Sequence, residues 1–369
     1  MLSADWNQEI TMKAAVLRDN ADILEIEDVE IDRVGPHEIL VDTAAAGLCH
    51  SDLYHLRGVF DIPRPTVLGH ESAGVVVEVG DQVQGFSPGD HVITCLAAAC
   101  GACQRCLTGR TYLCSGAHTL RQDGSSRLSQ GGEEVFQFLN VSSFAEQLLV
   151  HESAAVRITK DMPLDLAALI GCAVTTGVGA VLNKGQVRPG QTVAVIGCGG
   201  IGLSAVQGAR LSGASRIVAV DLNAEKLATA KVLGATDVVN ANRGDVAAAI
   251  RDLTNGGVDH SFEAVGSPTT ATAALECLDI GGSATIVGLM PAGKTFPVQG
   301  RLLLDDRRIQ GSYMGSQNFR IAMPKYVEMF LDGRLLLEEM VSSRITLAGV
   351  NEAFAAMEKG HALRDLIVF

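Results

Sequence analysis

Four cysteines occur within fifteen residues of this chain, in the pattern C-x2-C-x2-C-x7-C. They are Cys100, Cys103, Cys106 and Cys114. Four thiolates can surround one metal ion as a tetrahedron, and zinc bound by four sulfur atoms keeps no position for a substrate. The pattern therefore predicts a structural zinc site. An iron–sulfur cluster and four unconnected thiols are the alternatives, but the fourth cysteine comes too late for the compact cluster motif and no proline follows it.

Two further cysteines and one histidine are residue types that bind zinc in open, catalytic sites. Cys49 occurs in GLCHSDLYH, His70 in VLGHESAG and Cys172 in LIGCAVTTG. The first two follow strand-like runs, where side chains can converge on a cleft. Spacing alone does not join the three, because Cys172 lies about a hundred residues downstream. A lone histidine in an apolar segment is also more often a hydrogen-bonded core residue than a ligand.

A glycine-rich turn predicts a dinucleotide site. The segment TVAVIGCGGIGLSAVQGARLSG places Gly197, Gly199 and Gly202 between a predicted strand and a predicted helix, and Asp221 ends the next strand, RIVAVD. Such glycines let the backbone approach a pyrophosphate, whose charge is favoured at the helix N-terminus. Asp221 can accept hydrogen bonds from both ribose hydroxyls but would repel a 2′-phosphate, which favours NAD over NADP.

Two kinds of scaffold are predicted around these residues. From Lys13 to about Val150 the chain has short β-branched runs divided by Gly, Pro and Asp, such as EILVDTAAAGLC and SAGVVVEVG, which predict an irregular β domain. From about Val174 strands alternate with alanine-rich helical stretches, which predicts a parallel doubly wound sheet of the α/β class. A length of 369 residues with 47% hydrophobic content can fill two such cores.

Composition excludes several other functions. The net charge is −13, and Lys and Arg are scattered rather than clustered, which argues against a nucleic-acid partner or an anionic membrane surface. The first eleven residues do not resemble a secretory signal. Nine cysteines in such a chain favour reduced thiols and a cytoplasmic location. The three outside the predicted zinc sites, Cys95, Cys198 and Cys277, are predicted to be small buried hydrophobes.

Two longer segments give expectations about the scaffold. The apolar stretch from Leu166 to Leu182 is interrupted by glycines and a threonine pair, so we expect it in a soluble interior rather than across a membrane. The polar, glycine-bearing stretch from Arg121 to Glu134 is predicted to be a long exposed loop.

Together the motifs resemble the zinc-dependent medium-chain alcohol dehydrogenases, within the medium-chain dehydrogenase/reductase superfamily. GLCHSD, GHESAGVVVEVG, the four-cysteine segment, GCAVTTG, the glycine turn and LRDLIVF occur in family order between Met12 and Phe369. The resemblance implies a GroES-like catalytic domain of residues 1–173 and 314–369 around a Rossmann cofactor domain of residues 174–313. It also implies assembly through the cofactor domains as a homodimer, with a homotetramer as the alternative.

The same resemblance implies a catalytic zinc held by Cys49, His70 and Cys172, with the fourth position left for water or a substrate oxygen. Each chain would then bind two zinc ions. Asp52 would orient His70. Glu71 would lie behind the metal and either join its coordination or only tune the local field, and both alternatives stay open.

A proton relay is implied as well. Ser51 would take the alcohol proton and pass it through the nicotinamide ribose toward solvent. Tyr54 stands where the best-studied branch of the family has its relay histidine, and His55 comes one residue later. Tyr54, His55 or a water molecule is therefore expected to complete the relay.

The residues that the resemblance places around the cofactor are His50, Thr176, Gly197, Gly199, Gly200, Ile201, Gly202, Asp221, Lys226, Leu289 and Arg364. The residues that it places around the substrate are Phe60, Leu96, Phe138, Leu139, Leu289 and Tyr313. This second set is apolar, which suits medium-chain or aromatic primary alcohols and their aldehydes.

The predicted activity is hydride transfer between such an alcohol and NAD. Two alternatives are a dehydrogenase that keeps NAD bound and uses an external acceptor, and a non-enzymatic protein that binds zinc and NAD. Oxidation of the formaldehyde adduct of glutathione, known in a related branch, is disfavoured because Phe60 stands where that branch has an acid.

Overall fold

The structure is a computed structural model that describes residues 10–19, 21–120 and 126–369. Within these residues the strands are β1 (Ile10–Leu17), β2 (Leu24–Ile31), β3 (Glu38–Gly47), β4 (Thr66–Val67), β5 (Ser72–Val79), β6 (His91–Thr94), β7 (Leu128–Gln130), β8 (Glu133–Gln137), β9 (Gln147–His151), β10 (Ala155–Ile158), β11 (Thr192–Ile196), β12 (Arg216–Asp221), β13 (Asp237–Asn240), β14 (Val258–Glu263), β15 (Leu278–Ile286), β16 (Arg308–Gly311), β17 (Ser343–Ile345) and β18 (Asp365–Val368).

Helices connect these strands and cover the sheets. The longer ones are His50–Leu56, Leu164–Gly185, Gly200–Leu211, Ala224–Val232, Val246–Thr254, Pro268–Glu276, Phe319–Leu331 and Val350–Glu358. Two shorter helices are Gln104–Leu107 and Gly300–Leu304.

The second half of the chain forms a six-stranded parallel sheet in the order β13-β12-β11-β14-β15-β16. Its central strands are apolar and buried on both faces, as parallel strands covered by helices must be. The strand order reverses between β11 and β14, and the crevice for a dinucleotide lies at this point in such sheets. The predicted α/β class and Rossmann-type sheet are confirmed.

The first half is rich in antiparallel strands. β1, β2, β7, β8 and β4 close into a small barrel, while β10, β6, β5, β3, β18 and β17 form a second sheet to which β9 adds beside β3. β18 reaches this sheet from the end of the chain, where Leu366 pairs with Gly47. The chain therefore returns to the first scaffold after the parallel sheet, and the predicted boundaries at residues 173/174 and 313/314 stay a prediction.

A long helix, Leu164–Gly185, runs through the interior and contains the apolar stretch noted above. It is long and apolar enough to cross a membrane, but 89% of its most apolar part is buried inside the protein. The interior already covers its apolar surface, so it is a core helix of this fold, as expected.

The predicted loop between Arg121 and Glu134 is wrong for its second half. Residues 121–125 lie outside the described residues, but β7 and β8 form an antiparallel hairpin in which Leu128 pairs with Val135. Both side chains are buried in the barrel, whereas the glutamates beside Val135 face solvent. Each of these strands has only one buried residue, and polar and glycine residues surround it. The apolar alternation was therefore too weak to predict a strand.

Candidate metal centre and cofactor crevice

The structure brings Cys49, His70 and Cys172 together, with their ligand atoms within 4.8 Å of one another. Cys49 precedes the helix His50–Leu56, just beyond the end of β3. His70 lies just before β5, which pairs antiparallel with β3 so that Ala46 faces Ser72. The end of β3 and the start of β5 therefore meet, and the interior helix supplies Cys172 at the same point. All three side chains are buried, with at most 5% exposed.

Asp52 fixes the orientation of the histidine. One carboxylate oxygen accepts hydrogen bonds from Nδ1 of His70 at 3.0 Å and from the N–H of Gly69 at 3.2 Å. The other oxygen accepts from the N–H of Cys49 at 3.1 Å. With Nδ1 donating to the carboxylate, the lone pair of Nε2 is free for a metal, which is the usual arrangement behind a zinc-bound histidine.

A hydrogen bond between the two thiols shifts their pKa values in opposite directions. A hydrogen bond with Cys172 holds the pKa of Cys49 well below its ordinary value, and the buried Arg364 guanidinium lowers it further. The same hydrogen bond, together with burial, raises the pKa of Cys172 well above its ordinary value. Burial alone would lower the pKa of His70, but the Asp52 carboxylate outweighs burial and raises it.

This donor set fits zinc. Two sulfur atoms and one imidazole nitrogen are ligands that zinc prefers, and a set of three leaves one tetrahedral position for substrate. The buried thiols and the negatively charged Asp52 behind His70 supply the charge that a dication needs. The three donors are thus suited to an open zinc site.

Glu71 lies beside the metal site and also close to Arg364. One of its oxygens accepts a hydrogen bond from the N–H of Ala173 at 3.1 Å, while Oε1 has no hydrogen-bond partner among the described residues. Nε of Arg364 is 3.6 Å from Oε1. Burial raises the pKa of Glu71 to about 7. Coordination of zinc by Glu71 stays a prediction.

Ser51 lies next to the metal ligands, with its Oγ 3.7 Å from Sγ of Cys49. His55 is turned toward aromatic side chains instead. Its Nδ1 lies 3.4 Å from the carbonyl oxygen of Phe60, and its ring meets that of Phe138 edge to face at a centroid distance of 4.6 Å. The ring of Tyr54 also contacts Phe60. Which group completes the relay stays a prediction.

The four cysteines of the second site also converge, with their sulfur atoms within 4.8 Å of one another. Backbone N–H groups point at them: Cys100 and Gly116 donate to Sγ of Cys114, both at 3.3 Å. The N–H of Cys106 is the main cause that lowers the pKa of Cys103 to about 5, whereas burial raises that of Cys106 to about 12. Four sulfurs around one point fit a closed, structural zinc site.

The glycine turn has the geometry that a pyrophosphate requires. Gly197 has a φ of +98°, which glycine adopts readily. Gly199 precedes the helix Gly200–Leu211. A Cβ on Gly202 would lie 1.7 Å from the carbonyl oxygen of Gly197, so only glycine fits there. The helix therefore begins in direct contact with the end of β11, and its N-terminal N–H groups face the crevice.

Arg364 joins the crevice to the metal site. A Cβ on Gly200 would lie 2.4 Å from its guanidinium, which places this cation at the start of the fingerprint helix. It also donates to the carbonyl oxygen of Leu48, next to Cys49. A buried cation at a helix N-terminus suits a phosphate group.

Asp221 ends β12 and faces the glycine turn. One of its oxygens accepts a hydrogen bond from the N–H of Cys198 at 2.7 Å, and the other accepts from Asn223 at 2.9 Å. Lys226 is buried in the helix that follows β12. Cofactor contacts through Asp221 and Lys226 stay predictions.

The remaining predicted cofactor residues fall on several elements. Thr176 is buried in the interior helix, which crosses the fingerprint helix so closely that a Cβ on Gly177 would lie 2.2 Å from the carbonyl oxygen of Ile201. His50 is an exposed residue at the start of its helix. Their contacts with a cofactor stay predictions.

Part of the predicted substrate pocket is an aromatic cluster. Phe60 and Phe138 both contact His55, and Phe138 also lies edge to face with His70 at a centroid distance of 5.8 Å. Tyr313 and Leu289 are about half exposed. Lining of a substrate pocket stays a prediction for all six residues, Phe60, Leu96, Phe138, Leu139, Leu289 and Tyr313.

A cleft of about 630 Å³ lies elsewhere, and its lining includes Asp259 and Arg308 at the amino-terminal ends of parallel strands. Ligands of such sheets bind at the carboxyl ends instead. No function is assigned to this cleft.

Two residues near the crevice were missed from the sequence. Val265 follows β14, and a Cβ on Gly197 would lie 2.6 Å from its side chain, so Val265 borders the glycine turn. Glu263, the last residue of β14, is fully buried at the same edge. A usable signal was their position at the carboxyl end of the strand that borders the reversal of strand order.

Comparison with known proteins agrees with this geometry. Family models for the alcohol dehydrogenase GroES-like domain and for zinc-binding dehydrogenases match residues 35–160 and 200–330. An alcohol dehydrogenase class-3 of Pisum sativum is 37% identical, with 99% of each chain covered. A probable S-(hydroxymethyl)glutathione dehydrogenase 1 of Schizosaccharomyces pombe is also 37% identical, with 97% of each covered.

Among solved structures, benzyl alcohol dehydrogenase from Acinetobacter calcoaceticus superposes with a TM-score of 0.92 at 32% identity, covering 98% of this chain and 99% of that one. The matched region thus spans both scaffolds and both clusters of candidate metal ligands. It supports an enzyme that uses zinc and a nicotinamide cofactor. The chain belongs to the zinc-dependent medium-chain alcohol dehydrogenase family.

Proposed function

We propose that this enzyme transfers hydride between a primary alcohol, either medium-chain or aromatic, and NAD. The observation that carries the proposal is the convergence of Cys49, His70 and Cys172 on one buried point beside the cofactor crevice. Three protein donors leave a fourth position for a substrate oxygen, which distinguishes this site from the closed four-cysteine site.

When bound, zinc would supply Lewis-acid polarisation of the substrate oxygen, and the nicotinamide would accept or return the hydride. The protein side chains hold and move the proton. Ser51 lies beside Cys49 and is the group that we propose takes the proton from the alcohol. Asp52 keeps His70 oriented, and the closely packed aromatic side chains restrict water around the reacting carbon.

Asp221 supports the choice of NAD. Its carboxylate ends β12 beside the glycine turn, where the adenosine ribose of a dinucleotide lies in this type of fold. A 2′-phosphate at that point would meet a negative charge instead of a guanidinium. We therefore propose NAD rather than NADP.

The aromatic cluster of Phe60, His55 and Phe138 supports an aromatic or otherwise apolar substrate. The similarity to benzyl alcohol dehydrogenase points the same way. The Schizosaccharomyces pombe relative favours a second candidate, the hydroxymethyl adduct of glutathione. Phe60 argues against that candidate, because an anionic tripeptide needs charged or polar partners where this residue presents an aromatic ring.

NADH formation at 340 nm with benzyl alcohol, 1-hexanol and S-(hydroxymethyl)glutathione tests the proposal. We expect the highest kcat/KM with one of the two alcohols, lower values with NADP, and loss of activity after treatment with a zinc chelator. Highest kcat/KM with the glutathione adduct would replace the proposed substrate class. Activity that survives complete removal of zinc would contradict the proposal itself.

We also propose a cytoplasmic homodimer. The family resemblance supports pairing through the cofactor domains, and the cysteine content supports a reducing compartment. Light scattering of the purified protein would give twice the chain mass for a dimer and four times that mass for a tetramer.

A further inference from the structure

Glu263 occupies a central place at the carboxyl edge of the parallel sheet. It is the last residue of β14, where it pairs with Ile196 on one side and with Ile286 on the other. Its side chain is completely buried. The strand order reverses beside it, so it lies at the base of the cofactor crevice.

One oxygen of this carboxylate organises the loop that follows β14. Oε1 accepts hydrogen bonds from the N–H groups of Val265 at 2.9 Å and Gly266 at 2.7 Å, and from Oγ1 of Thr270 at 2.7 Å. The second oxygen, Oε2, has no hydrogen-bond partner among the described residues. All three donors thus act on a single acceptor atom.

The main chain of the same residue holds the loop that follows β15. The carbonyl oxygen of Glu263 accepts hydrogen bonds from the N–H groups of Val287 at 2.8 Å and Gly288 at 2.9 Å. One residue is therefore bonded to both loops that leave the sheet at this edge.

The two loops are also in direct contact. A Cβ on Gly266 would lie 2.3 Å from the carbonyl oxygen of Leu289, and a Cβ on Gly288 would lie 2.1 Å from the nitrogen of Gly266. A shift of one loop therefore moves the other. The first loop carries Val265 against the glycine turn, and the second carries Leu289, a residue that is 45% exposed.

Glu263 is a buried carboxylate at a position whose volume an apolar side chain could fill. Burying an acidic group without a cation costs free energy unless hydrogen bonds compensate, and the described residues place no Lys or Arg in an ion pair with Glu263. An apolar side chain would fill the volume but would leave the N–H groups of Val265 and Gly266 unpaired.

We propose that Glu263 is a positioning residue for the cofactor: it fixes Val265 and Leu289 as the two apolar walls of the crevice. The inference rests on the proposed nicotinamide site at this edge. Glu263 acts through the two loops and does not itself contact the reacting atoms.

Glu263→Leu and Glu263→Gln test the proposal in the zinc-loaded enzyme. The leucine variant removes the acceptor for all three donors, and we expect the Kd of NADH, measured by fluorescence titration, to rise at least about tenfold. KM for NAD should rise with it, whereas KM for the alcohol and the zinc content should change little. The glutamine variant keeps one acceptor oxygen for the same donors and should restore NADH binding to within about threefold.

Ser261→Ala is the matched control. Ser261 is buried two residues earlier on the same strand and donates to the carbonyl oxygen of Ala274 at 2.6 Å, away from both loops. We expect this variant to lower the unfolding temperature without changing the Kd of NADH. A purely structural role for Glu263 would give the same pattern in Glu263→Leu, with lower stability and unchanged cofactor binding.

Wild-type NADH affinity in a folded Glu263→Leu variant would overturn the inference. If that variant does not fold, Thr270→Val decides the question, because it removes one of the three donors and should raise the Kd of NADH about threefold. Unchanged binding in Thr270→Val would then overturn the inference. Failure of the wild-type protein to bind NADH at all would refute the proposed function instead, so the two failures are distinguishable.

Discussion

Replacing Asp52 by asparagine should weaken zinc binding at the open site and leave the four-cysteine site intact. The buried carboxylate faces three donors, which are Nδ1 of His70 and the N–H groups of Gly69 and Cys49. An asparagine offers one acceptor oxygen and one donating NH2 group. In its better orientation the amide oxygen keeps His70 and Gly69, and the NH2 group then opposes the N–H of Cys49.

The size of the effect follows from this count. One buried N–H without a partner costs about 1–3 kcal/mol, and loss of the outer partner of a zinc-bound histidine weakens metal affinity about 10- to 100-fold. The two figures agree, because a tenfold change corresponds to about 1.4 kcal/mol. We therefore expect Asp52→Asn to bind zinc at the open site about 10 to 100 times more weakly than the wild type.

Competition with a chromophoric zinc chelator measures this change, and the zinc of the four-cysteine site is the internal reference. Asp332→Asn is the control, since that carboxylate is exposed and pairs only with the exposed Arg334 among the described residues. Both zinc ions should remain in the control with wild-type affinity. Equal affinity of wild type and Asp52→Asn for zinc at the open site, or equal loss of both ions, would refute the reasoning.

Three further predictions concern the proton relay, cofactor choice and pH. Ser51→Ala should remove most turnover while His55→Ala keeps much of it, because His55 contacts Phe60 and the ring of Phe138. Equal losses in steady-state assays would contradict this prediction. Asp221→Ser should lower the ratio of kcat/KM for NAD to that for NADP at least about tenfold, since it removes the charge that repels a 2′-phosphate; an unchanged ratio would argue against contact with the ribose. Burial raises the pKa of Glu71 to about 7 from its ordinary value of 4.5, so the folded state binds this proton more tightly than the unfolded chain. In zinc-depleted protein, the stabilisation from Glu71 is complete below pH 4.5 and is lost as the pH rises toward 7. Urea unfolding of Glu71→Gln should lack this pH-dependent part of the free energy of unfolding. The same pH dependence in both proteins would contradict the assignment.

The sequence predicted what depends on local pattern. The strands and helices of the parallel sheet follow from the alternating apolar periods of the sequence. The glycine turn and Asp221 predicted a dinucleotide crevice among these elements. The four-cysteine site was predictable for the same reason, because its ligands are close in sequence. In contrast, nothing local joins Cys49 and His70 to Cys172, and the family resemblance grouped them.

The structure explains why these distant residues meet. β3 and β5 pair so that Gly47 and Glu71 share a backbone hydrogen bond of 2.8 Å, which brings the ligands beside them together. The interior helix then supplies Cys172 at the same point. Glu263 was missed because its segment, FEAVG, reads as an ordinary buried strand end. Its bonds to Val287 and Gly288 join parts of the chain whose proximity no local pattern indicates.

The most direct test of the account is a crystal structure of the complex with NADH, with diffraction measured at the zinc absorption edge. The account predicts two anomalous peaks per chain, one among the four cysteines and one bonded to Sγ of Cys49, Nε2 of His70 and Sγ of Cys172. The fourth position at the second peak should face the nicotinamide ring. A zinc peak missing from this triad, or one enclosed by a fourth protein ligand and turned away from the nicotinamide, would contradict the account.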